Sequence, residues 1–124
     1  MKPIFSDEDI ISTYTRKQAL EDGFLIDITA TYPKEAKQIY KFPVAMSHAV
    51  YVLVEEVAKD NYNNQATIIW DILYMSINMK TRILSEAEHL FTVMIGQKTH
   101  TLKIMVHGGD EGEGVITIMQ KNED

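Results

Sequence analysis

Apolar and polar positions change rhythm along the chain, and the rhythm predicts an α+β domain. Thr15 stands before RKQALED and Gly23, so an N-capping hydroxyl, good helix formers and a C′ glycine predict a helix of about two turns. FLIDIT (24–29) predicts a short strand, with Phe24, Ile26 and Ile28 on one side. The 30–41 stretch predicts a short helix with Pro33 in its first turn. Ser47 is placed to cap the next helix, whose Val50, Leu53, Val54 and Val57 fall at i, i+3, i+4 and i+7. Met46 and Tyr51 are spaced as a hydrophobic staple, and NYNN predicts a turn after Asp60. From Ala66 to Met79 nearly every position is apolar, which predicts a central core helix starting near Trp70 and running on through Lys80 and Arg82.

The last third alternates with period two. HLFTVMI (89–95) and KTHTLKIMV (98–106) flank Gly96-Gln97, where glycine suits a type II′ hairpin. That turn pairs Phe91 with Leu102 and Val93 with His100. It puts Phe91, Val93, Leu102, Ile104 and Val106 on the core face and Thr101 and Lys103 outward. VITIM (115–119) completes a three-stranded antiparallel meander, packed against the central helix and one or two shorter ones. With few glycines and prolines and no linker-like run, the 124 residues read as one domain, with a loose acidic lead-in (1–12) and a frayed acidic tail (120–124).

Composition narrows the chemistry. Twelve Lys and Arg against 18 Asp and Glu leave a net charge of -6, so a basic nucleic-acid surface is not expected. Cysteine is absent, which removes disulfides and thiolate chemistry. MKPIFSDEDI lacks the apolar run of a signal peptide, and no stretch reaches the roughly 18 apolar residues of a membrane span. A cytoplasmic protein without membrane contact is expected.

No nucleophile elbow, phosphate loop, dinucleotide fingerprint or zinc-protease motif is present. The polar positions that remain are few. The loop from His107 to Gly114 gathers Asp110, Glu111 and Glu113. It could supply oxygen ligands to a divalent cation, although its spacing matches no defined metal loop and a solvated turn is the simpler reading. Asp71 interrupts the most apolar segment and reads as an acid in the first turn of its helix, with Arg16 or Arg82 as possible partners. His48, His89, His100 and His107 are too scattered for a ligand set, and His100 and His107 point to opposite faces of one strand. Trp70, Tyr74, Met75 and Met79 read as core. Neither a metal nor any cofactor is expected.

Four segments taken together resemble a known family: TYTRKQALEDGFLID (13–27), FPVAMSHAV (42–50), WDILYM (70–75) and LKIMVHGGDEGEGVITIMQKNED (102–124). They are similar to small uncharacterised proteins of bacteria, plasmids and bacteriophages that carry YTRxQAxxDG, FPVA, WDxLxM and GDxGExVITIM. This chain departs from the pattern at Ile69, before Trp70, and at Gly114, where relatives have proline. The resemblance brings no activity. Its polar signature falls on Arg16, Asp22, Gly23, Asp27, Asp71, Gly109, Asp110, Gly112 and Glu113, and it implies a mobile-element setting.

The reading that follows is a noncatalytic module that binds a host or mobile-element protein. Its expected docking residues are Arg16, Asp22, Asp110, Glu111 and Glu113, where a loop of three close carboxylates invites a basic partner. Two alternatives stand beside it: a metal-dependent hydrolase or nuclease that combines Asp71 with the 110–113 acids, and an acidic inhibitor that occupies a nucleic-acid site.

Overall fold

In the computed structural model, which describes residues 15–59, 61–78, 80–83 and 87–123, helices and strands form one mixed α+β domain. The elements in chain order are α1 (Arg16–Asp22), β1 (Leu25–Asp27), α2 (Ile28–Thr31), α3 (Pro33–Ile39), β2 (Val44–Ser47), α4 (His48–Ala58), α5 (Tyr62–Asn78), β3 (Lys80–Ile83), β4 (Glu88–Ile95), β5 (Lys98–Gly108) and β6 (Gly114–Gln120). The six strands make one sheet in the order β1-β2-β6-β5-β4-β3.

The expected meander is present. Phe91 pairs with Leu102 and Val93 with His100. Gly96 has φ 67 and Gln97 is not among the positive-φ residues, which is the type II′ pattern. Phe91, Val93, Leu102 and Ile104 are buried on the helix-covered face, together with Ile116, Ile118, Val44 and Met46. Val106 departs from the expectation. It shares their face but is 39% exposed, because it lies near the end of the sheet.

The parallel strand β2 lies beside β6 and was not evident in the sequence. FPVAMS is short, and all four residues of the strand are buried, so no alternation marks it. Upstream, β1 ends at Asp27 because that carboxylate turns back to accept the N–H of Ala30 and cap α2. The expected six-residue strand is therefore three residues long, and Phe24 is exposed instead of sharing a buried side with Ile28.

Helix α4 runs as expected from the Ser47 cap, but its buried positions are Val50, Val54 and Ala58, while Val57 is 44% exposed. Its last turn closes on Lys59 in the left-handed region. Asp60 lies outside the described residues. The Asn-rich stretch is not a turn but a helix start: the Asn61 side chain accepts the N–H of Asn64 at 3.1 Å and opens α5, eight residues before Trp70. The helix ends at Asn78, so Lys80 and Arg82 belong to β3.

The buried face of α5 is Ala66, Ile69, Ile72, Leu73 and Ser76. Trp70 is half-buried on its flank, stacked on the exposed Tyr74 at 4.8 Å and donating from Nε1 to Gln38. The expected core role of Trp70 and Tyr74 is thus corrected, for a helix with apolar residues on most of its girth still turns only one side to a sheet. Met79 and the lead-in lie outside the described residues.

Candidate functional site

The helices α2–α5 cover one face of the sheet, and the other face is left largely to α1. This opposite face carries Leu25, Ala45, Ser47, Met105, His107, Thr117 and Met119, as the pairing registers require. Between α1, the start of α4 and strands β5 and β6 lies a cleft of about 690 Å³. Its walls are mainly apolar: Ala19, Phe24, Leu25, Ala49, Met105 and Met119.

At its floor Thr117 stands on the central strand β6, only 4% exposed. A hydroxyl in that place must be bonded, and two partners meet it. Arg16 Nη1 donates to Thr117 Oγ1 at 2.6 Å while its Nη2 donates to the Ile116 carbonyl at 3.0 Å. His107 Nε2 lies 2.8 Å from the same hydroxyl, and His107 Nδ1 is 3.0 Å from the Gly108 carbonyl. A carbonyl only accepts, so Nδ1 carries a proton. In the neutral tautomer Nε2 accepts from Thr117, and the row from Arg16 to Gly108 is satisfied throughout. Burial holds the Arg16 guanidinium below its usual pKa, against the attraction of Asp27, Asp110 and Glu113.

One wall of the cleft is fastened by Asp110. Its carboxylate accepts the backbone N–H groups of Arg16 at 2.8 Å and Lys17 at 3.0 Å, the first two helical positions of α1. Thr15 and Gln18 add a reciprocal capping box, so all four N–H groups left free at this helix end, those of Thr15, Arg16, Lys17 and Gln18, have side-chain partners. The two N–H donors pull the Asp110 carboxyl below its usual pKa.

The opposite wall is fastened by the chain's end. Glu123 accepts from Ser47 Oγ at 2.8 Å and from the Gln120 N–H, and its carbonyl accepts from Lys103 Nζ at 2.8 Å. The expected frayed tail is accordingly tied down as far as Glu123, and Lys103 is buried by the same contact; Asp124 lies outside the described residues.

The docking residues singled out by sequence are brought together only in part. Arg16 and Asp110 meet. Glu113 folds back into its own loop, accepting the Glu111 N–H at 3.0 Å, and Glu111 is exposed. Asp22 is exposed at the other end of α1. Asp71 is not near them: it lies in the middle of α5, a helix of the other face, where partial burial raises its pKa. Its expected place in a first helical turn is corrected, because α5 begins at Tyr62, and Arg16 is engaged elsewhere. The side chain of Arg82 lies outside the description.

Thr117, His107, Ser47 and Glu123 were not joined by any sequence argument. The available signal was Thr117, a lone hydroxyl inside VITIM, which a buried strand tolerates only with partners. Among the described residues, no group of three or more His, Asp or Glu side chains is arranged to hold a metal ion, and no helix is long and apolar enough to cross a membrane.

Compared with known proteins, the chain matches a family of unknown function (DUF6573) over residues 1–124, and it belongs to that family. No curated protein and no solved structure is significantly similar to it.

Proposed function

We propose that this member of a family without known function is a noncatalytic protein-binding module, and that a partner docks in the cleft between α1 and the open face of the sheet. The observation that carries this reading is the cleft itself: about 690 Å³ of mainly apolar wall, with Phe24 63% exposed at its rim. A volume of that order admits one or two side chains of a partner segment, and methionine walls adjust to varied shapes. The polar groups around it support binding over catalysis. Arg16, Thr117 and His107 satisfy one another, Asp110 is spent on a helix end and Glu113 on its own loop. Asp71 and the 110–113 acids sit on elements at different faces of the sheet, which weighs against a shared metal. The partner is a host or mobile-element protein, in keeping with the resemblance to plasmid and phage proteins and with the cytoplasmic setting read from the sequence.

The test is retrieval of partners from a host lysate by wild-type protein and by Phe24→Ala/Met105→Ala. Wild type is expected to retain a partner that the double variant loses while its melting curve stays cooperative. Equal retrieval by both proteins overturns the assignment of the cleft.

A further inference from the structure

We propose, resting on the docking reading above, that the cleft selects a partner segment that joins an apolar side chain to a cationic one, lysine or arginine. The argument is charge complementarity on an apolar floor. Three formal charges line the cleft: Arg16, Asp110 and Glu123. The Arg16 guanidinium is turned into the sheet, bonded to Thr117 and to the Ile116 carbonyl, and attracted by Asp27, Asp110 and Glu113 together. Its charge is answered before a ligand arrives. The ring nitrogens of His107 are both engaged, with the Gly108 carbonyl and with Thr117. Asp110 is spent likewise, on the N–H groups of Arg16 and Lys17 and beside the guanidinium, so Glu123 is the carboxylate with capacity left for a ligand.

The Glu123 carboxylate uses a single oxygen, Oε2, for both of its hydrogen bonds, and Oε1 takes none among the described residues. It stands beside the apolar patch of Ala49 and Met119. A lysine or arginine stem lying over Met105 and Met119 would carry its head to this carboxylate, keeping the methylenes on apolar surface. An anionic segment would meet Glu123 with no uncommitted cation beside it, because Arg16 is bonded to Thr117 and the Ile116 carbonyl and Lys103 to the Glu123 carbonyl. The overall charge of -6 favours the same encounter at long range.

Three probes of one shape isolate the charge: phenylpropylamine, phenylpropanol and phenylpropionate, titrated into the isotope-labelled full chain and followed by NMR at the methyls of Met105, Met119, Ala19 and Ala49. The amine is expected to shift these signals and to bind about tenfold more tightly than the carboxylate, a preference that Glu123→Gln removes while amide spectra show the fold retained. A peptide with one adjacent Leu and Arg in a Gly/Ser background should displace the amine, and its Leu-Glu counterpart should not. Equal binding of amine and carboxylate overturns the charge selection, as does a preference that survives in Glu123→Gln. Binding of the amine with no displacement by the Leu-Arg peptide overturns the protein segment as its source. These failures leave the docking reading standing if partner retrieval still depends on Phe24 and Met105. Loss of that dependence defeats the docking reading itself.

Discussion

The Asp110 carboxylate accepts the backbone N–H of Arg16 across 94 residues of chain, at 2.8 Å, and the same loop residue takes the Lys17 N–H beside it. A short helix with one buried residue, Ala19, is thereby held to a distant hairpin by a cap from outside its own sequence. The Arg16 side chain reaches the sheet from the same turn, so backbone and side chain of one residue fasten the wall of the cleft.

Asp110 and Asp71 should respond to acid with opposite signs. The pKa of Asp110 is depressed in the folded protein, so its contribution is present above the unfolded value of about 4 and is lost as pH falls through the folded one. Asp110→Asn should lower the melting temperature at neutral pH, with the gap to wild type closing in acid. The pKa of Asp71 is raised by partial burial, so ionising it disfavours the fold. Asp71→Asn should be slightly more stable than wild type above its folded pKa, and equal to it below about 4. Melting curves from neutral pH into acid check both.

Arg16→Lys is not a conservative change here. A single ammonium cannot bridge Thr117 Oγ1 and the Ile116 carbonyl as the two guanidinium nitrogens do. The loss should be about 1–3 kcal/mol, read by denaturant unfolding, with faster amide exchange in α1.

The two large aromatics Phe91 and Trp70 should separate cleanly. Phe91 is fully buried under α5, and Phe91→Ala should cost about 3–5 kcal/mol. Trp70 is stacked at the surface on Tyr74, so Trp70→Ala should cost about 1–2 kcal/mol. As Trp70 is the single tryptophan, acrylamide quenching of native fluorescence reports its partial exposure directly.

Ser47 and Glu123 should be coupled. Ser47 Oγ accepts the Val50 N–H that begins α4 and donates to Glu123, so the helix cap and the chain's end share one hydroxyl. Ser47→Ala should cost about 1–2 kcal/mol. In a double-mutant cycle with Glu123→Ala, measured by urea unfolding, the two losses should fall short of additivity by at least about 0.5 kcal/mol.

What the sequence alone determined is what rests on neighbours along the chain. Thr15, Gln18 and Gly23 cap their helix by local hydrogen bonds, Ser47 does the same for α4, and Gly96 with alternating apolar residues sets the hairpin register; each feature stands where local chemistry puts it. Local signals misled where one residue type serves two ends. Asn61 opens a helix although asparagines also make turns, and the apolar girth of α5 concealed which side meets the sheet. Only the tertiary structure decided that β2 runs parallel to β6, since such pairing needs a long crossover and leaves no local mark. It alone brought Asp110 to α1, Arg16 and His107 to Thr117, and Glu123 to Ser47. Hydrogen bonds across 10 to 101 residues depend on where the sheet carries its strands, and no spacing along the chain encodes that.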